Sequence, residues 1–94
     1  MNFESVHNYY ERLVFERIHE LLVVGEGLRD EDFLEDVACV ALNGLPAKYV
    51  RHDVDMIFYL TSDERTTMER MVREAVIQAR EFVGKHREEK RLAP

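Results

Sequence analysis

The chain has 94 residues, room for one domain of 1–94 and not for two. Hydrophobic residues make up 46% and charged residues 34%, a balance that excludes intrinsic disorder. With 13 basic against 19 acidic residues the net charge is −6, which disfavours general binding to a nucleic-acid backbone. No apolar run approaches the roughly 20 residues needed to span a bilayer, and no secretory signal pattern is visible at the N-terminus. Cys39 is the single cysteine, so no internal disulfide can form; a cytoplasmic location is the expectation.

From about Asn8 to Val24, Tyr10, Leu13, Val14, Ile18, Leu21 and Leu22 recur at three- and four-residue steps, one face of a helix. Asn8 suits the N-cap with Glu11 completing a capping box, and Gly25 and Gly27 end the helix. A second helix is predicted from Glu31 to Asn43, opened by Asp30, Glu31 and Asp32. Its apolar stripe is Leu34, Val37, Ala38, Ala41 and Leu42, and Cys39 reads as a buried structural thiol. Asn43-Gly44-Leu45-Pro46 suggests a Schellman-type ending.

The segment from Lys48 to Leu60, KYVRHDVDMIFYL, is the β material of the chain: either one long strand or two short ones broken near Asp53. A lone strand leaves its backbone groups unpaired, so pairing across a dimer axis is an expectation. Thr61 and Glu64 form another capping box for a long helix from about Ser62 to Arg87. Met68, Met71, Val72, Ala75, Val76, Ala79, Phe82 and Val83 form its buried stripe. Residues 88–94 are expected to be a frayed, charged tail. The fold class is α+β and predominantly helical: two N-terminal helices, a short β segment and a long C-terminal helix. A homodimer is expected, because so short a chain buries only about two-thirds of its unfolded surface.

If 48–55 is extended, side chains alternate between faces. Tyr49, Arg51, Asp53 and Asp55 then share one face, with Lys48, Val50, His52 and Val54 on the other. The first set holds an aromatic plane for stacking, a guanidinium donor and two carboxylate acceptors. The competing reading is ordinary: Tyr49 as a half-buried strand aromatic, and Arg51 with an aspartate as an exposed ion pair. Asn43 either caps its helix or touches a ligand, and Lys48 is a phosphate partner or one more surface lysine. His7, Asn8 and Tyr9 precede the first helix and could join a pocket. No Gly-rich phosphate loop, catalytic triad or metal motif appears, so the chain is read as a binder and not an enzyme, with no cofactor and no metal.

The stretch DVACVALNGLPAKYVRHDVDMIFYL resembles the central signature of the ComFB family, in which a D-[IV]-x-x-[LV]-A-L-N helix leads into L-P-P-[RK]-Y-[IV]. The matching residues are Asp36, Val37, Ala41, Leu42, Asn43, Leu45, Pro46, Lys48, Tyr49 and Val50, and the opening Asn8, Tyr10, Glu11, Leu13 and Val14 fit the family's N-x-[YM]-E-x-L-V. Two departures stand out. GEGLRDEDF replaces the segment in which many members carry paired cysteines, so no zinc is expected, and Ala47 stands where a second proline is usual. The resemblance implies cyclic-dinucleotide sensing, most of all of cyclic di-GMP. Lys48, Tyr49, Arg51, Asp53, Asp55 and Asn43 are then the binding residues, and signalling runs through an unidentified regulatory partner in competence, pilus or motility control. The alternative is a ligand-independent dimeric interaction module. A DNA-binding role for Lys85, Arg87, Lys90 and Arg91 is opposed by the interleaved Glu88 and Glu89.

Overall fold

A computed structural model of the chain describes residues 1–92, and the side chain of Leu92 is not among the groups described. In chain order the elements are strand β1 (His7–Asn8), helix α1 (Tyr10–Ile18) continuing as a π-helical turn (His19–Val24), α2 (Glu31–Asn43), β2 (Tyr49–Val50), a short α3 (Asp55–Tyr59) and α4 (Ser62–Leu92). The class is α+β and mostly helical, with α1 and α2 packed on α4.

Tyr10, Val14, Ile18 and Leu22 are all buried at strict four-residue steps. In a helix of 3.6 residues per turn each such step drifts by about 40°. The π turn after Ile18 winds more residues into each turn and reverses that drift, so Leu22 stays on the core side. The widening also shapes the exit. Gly27 has a positive φ of 72°, Gly27 N–H donates to Val23 C=O and Leu28 N–H to Leu22 C=O. Each bond spans one residue more than in the usual Schellman ending. Gly25 sits where a Cβ would lie 2.4 Å from the Leu21 carbonyl oxygen.

Asp30 caps α2 through the Phe33 N–H at 3.2 Å, and Val37 and Ala41 are its fully inward residues. Cys39 lies two positions from Val37, roughly the opposite side of a helix, and is exposed, which corrects the buried-thiol reading. The expected Schellman ending at Gly44 is also absent: Gly44 keeps a right-handed φ of −88° and its N–H bonds back to Val40 and Ala41. Leu45 is buried all the same.

Thr61 caps α4 as expected, the Glu64 N–H donating to Thr61 Oγ1 at 3.1 Å, while Glu64 Oε1 accepts from the Thr61 hydroxyl and not from its backbone N–H as in a full capping box. From there α4 runs 31 residues, about 46 Å, against a longest molecular dimension of 51 Å. It does not stop at Arg87 but continues through the charged segment to Leu92; of the predicted tail, Ala93 and Pro94 lie outside the described residues. Met68, Val72, Val76, Ala79 and Val83 are its buried stripe, whereas Phe82, predicted inside, is 60% exposed and stacks on His86. Facing α2, Arg80 pairs with Glu26 at 3.0 Å and Arg87 bridges Asp30 and Asp36, both at 3.1 Å. Both guanidinium groups also lie over the Phe33 ring, 5.4 and 5.2 Å from its centroid.

The largest departure from expectation is the 48–60 segment. Only Tyr49–Val50 is strand, and its partner is β1, antiparallel with His7 opposite Val50 and Asn8 opposite Tyr49. The backbone of Tyr49–Val50 therefore finds a pairing partner within the chain, at β1. Beyond Val50 the chain turns, and Asp55 N–H to His52 C=O and Met56 N–H to Asp53 C=O lead into α3. Met56, 4% exposed, holds this helix down. The β preference of its neighbours does not decide the outcome here, because that preference depends on the surrounding packing.

Candidate functional site

The ribbon where β2 meets β1 is built around Asn8. Its Oδ1 accepts from the Tyr10 N–H at 3.2 Å, capping α1, and from the Lys48 N–H at 3.0 Å. The Tyr9 N–H donates to the Lys48 carbonyl at 2.6 Å. The Lys48 backbone is thus fastened at both its donor and its acceptor, while its side chain is free to project. Tyr49 follows with its ring 68% exposed, and Arg51 and His52 are exposed on the turn. Lys48, Arg51 and His52 enter no ion pair among the described residues.

The predicted common face of Tyr49, Arg51, Asp53 and Asp55 does not form. Alternation requires extended backbone, and the backbone leaves that conformation after Val50. Asp53 turns back towards the N-terminal part of the chain, where His7 Nε2 lies 2.6 Å from its Oδ1 and Arg12 Nε donates to its Oδ2 at 3.1 Å. Arg12 Nη1 continues the chain to Glu16 at 3.1 Å. Both Asp53 oxygens therefore have partners within the protein, Oδ1 at His7 and Oδ2 at Arg12. Asp55, half-buried, opens α3, and Asn43 ends α2 on the surface, apart from the ribbon's hydrogen bonds.

His7, a pocket candidate from its place before the first helix, meets Asp53 here, and Arg12 is the residue that the sequence did not single out. His7 lies far from Asp53 along the chain, and only the β1–β2 register brings them together. The Asp53 hydrogen bond, aided by the Ser5 carbonyl, raises the His7 imidazole above its ordinary 6.5. In return the His7 hydrogen bond holds the Asp53 carboxyl below 3.8 against the opposing effect of burial, with Arg12 adding to it. Next to this ion pair a groove of about 290 Å³ runs between α1, α3 and α4. Leu13, Leu60 and Met68 give it apolar walls, and Arg12 and Arg65 line it with charge. Among the described residues no three His, Cys, Asp or Glu side chains gather where they could hold a metal ion. No helix of the described residues is long and apolar enough to cross a membrane.

A family model, described as late competence development protein ComFB, matches residues 7–87. The chain belongs to the ComFB family. The match opens at His7, the first residue of β1, and closes at Arg87, the residue that ties α4 to α2. It therefore takes in the ribbon, the turn and the whole three-helix core, and it marks the chain as a competence-related protein. Neither the curated proteins nor the solved structures compared with it contain a match.

Proposed function

We propose that this ComFB protein is a non-catalytic receptor for a cyclic dinucleotide, cyclic di-GMP first, that signals through a partner protein in competence, pilus or motility control. The supporting observation is the strip Lys48–Tyr49–Arg51: an exposed aromatic residue flanked by two cations that enter no ion pair among the described residues, on a chain of net charge −6. A base stacks on Tyr49, the phosphates meet Lys48 and Arg51, and Arg51 can turn its fork to a guanine O6 and N7. Of the residues the resemblance implies, Lys48, Tyr49 and Arg51 form this strip, Asp55 and Asn43 are the further candidates, and Asp53 is already paired with His7 and Arg12. Calorimetric titration with cyclic di-GMP, cyclic di-AMP and GTP tests the reading. Arg51→Ala should weaken binding by about 1.5–3 kcal/mol, the range for a charge-assisted contact. No heat and no thermal shift with any cyclic dinucleotide at millimolar ligand refutes it.

A second reading, a ligand-independent dimeric interaction module, is favoured by α3. Ile57, Phe58 and Tyr59 are 60%, 81% and 78% exposed in consecutive positions, an apolar knob left largely uncovered by the described residues. Sedimentation of the wild type and of Phe58→Asp distinguishes the two. A nucleotide-independent dimer that Phe58→Asp dissociates supports the module, and a monomer that binds cyclic dinucleotide removes it.

A further inference from the structure

His7 is placed as more than one half of an ion pair. Its Nε2 is 2.6 Å from Asp53 Oδ1 and its Nδ1 is 2.8 Å from the Ser5 carbonyl oxygen. Both neighbours are acceptors. A neutral imidazole carries one N–H and can satisfy only one of them, so the geometry is that of the doubly protonated ring. The two acceptors belong to different pieces of chain. Ser5 lies in the N-terminal arm, otherwise held by a turn in which the Val6 N–H donates to the Phe3 carbonyl. Asp53 lies in the turn between β2 and α3.

The charged groups around the ring come from two elements. The turn supplies Asp53; α1 supplies Glu11 and Arg12, and Glu16 is reached through Arg12. On the β2 side the register partner is Val50, which does not titrate. The two carboxylates favour the cation, and Arg12, the opposing charge, is itself held between Asp53 and Glu16. The ring is one-third exposed, so protons exchange with solvent without any unfolding.

We propose that His7 is a pH-operated latch, whose imidazolium fastens the N-terminal arm and the 51–54 turn to one another and whose deprotonation frees the arm. The arm is the part released because a charge-assisted bond to a carboxylate is roughly twice as strong as one to a neutral carbonyl. The remaining N–H therefore stays with Asp53, and Ser5 loses its donor. The folded-state value of His7 lies above 6.5, so the latch is made below that raised value and opens as pH rises through it. At the acid end it fails only as pH falls through the Asp53 value, which lies below 3.8. The latch concerns the order of the arm and does not depend on what the turn binds.

Imidazole and backbone amide NMR signals of the full chain, followed from about pH 5 to 9, test this. The expected result is a His7 midpoint above 6.5 that falls in Asp53→Asn, with Ser5 and Val6 amide signals moving on the same midpoint. His7→Gln should keep the helical far-UV signal yet abolish the pH-dependent movement of those amides. A His7 midpoint at or below 6.5, arm amides that do not follow it, or amide movement that persists in His7→Gln would each overturn the latch.

Discussion

Replacing Asn8 by alanine removes one oxygen that closes two structures at once. The bond to the Tyr10 N–H caps α1, and losing such a cap costs about 0.5–2 kcal/mol. The bond to the Lys48 N–H joins α1 to the ribbon; it is exposed, water can replace it, and its loss adds about 0.5–1 kcal/mol. The sum is about 1–3 kcal/mol. For a domain of this size each kcal/mol lowers Tm by about 4–8 °C, so a fall of roughly 5–20 °C is expected. Urea denaturation followed by circular dichroism measures the first quantity, and hydrogen exchange at the Tyr10 and Lys48 amides shows where the loss falls. Asn8→Asp keeps an acceptor in place and adds a charge suited to a helix N-terminus, so it should retain most of the stability. A loss below about 0.5 kcal/mol in Asn8→Ala, or an equal loss in Asn8→Asp, would refute the dual role.

Gly25→Ala forces a methyl group to within 2.4 Å of the Leu21 carbonyl oxygen, and chemical denaturation should show a loss of about 1–3 kcal/mol, with the π turn's amides exchanging faster. Phe33→Leu preserves apolar contact but removes the ring under Arg80 and Arg87, which should cost about 1–2 kcal/mol for two exposed cation–π contacts in the same assay. Asp53→Asn should flatten the stability–pH curve at both ends. The Asp53 contribution is present above 3.8 and lost as pH falls through its lowered value, while that of His7 is present below 6.5 and lost as pH rises through its raised value. Denaturation midpoints measured across pH check both limbs, and a variant curve parallel to the wild type counts against the ion pair.

The helices were legible because their signals are local. Tyr10, Val14, Ile18 and Leu22 announce a buried face by spacing, Asp30 and Thr61 announce helix starts, and both caps are present in the fold. Phe82 shows the limit of periodicity. It falls on the predicted stripe, but the stripe is wider than the surface α1 and α2 cover, and Phe82 is left outside. Of the candidate site, the exposed Lys48, Tyr49 and Arg51 were legible as surface residues of the right chemistry. Their arrangement with Asp53 and Asp55 was not, because it presumed a backbone conformation that 48–60 keeps for only two residues.

By itself the amino-acid sequence determined the three long helices, their inward faces and membership of the ComFB family, since caps, stops and periodicity act within a few residues of one another. Only the tertiary structure decided what the segment after Pro46 does. Tyr49–Val50 had to find a strand, and the available one was His7–Asn8, some forty residues away along the chain but adjacent once α1 had packed on α4. That pairing delivers Asp53 to His7 and Arg12 and leaves Lys48, Tyr49 and Arg51 facing solvent. Contacts of such long separation leave no mark in local spacing, because the free energy that selects them comes from packing the whole chain and not from the residues that meet.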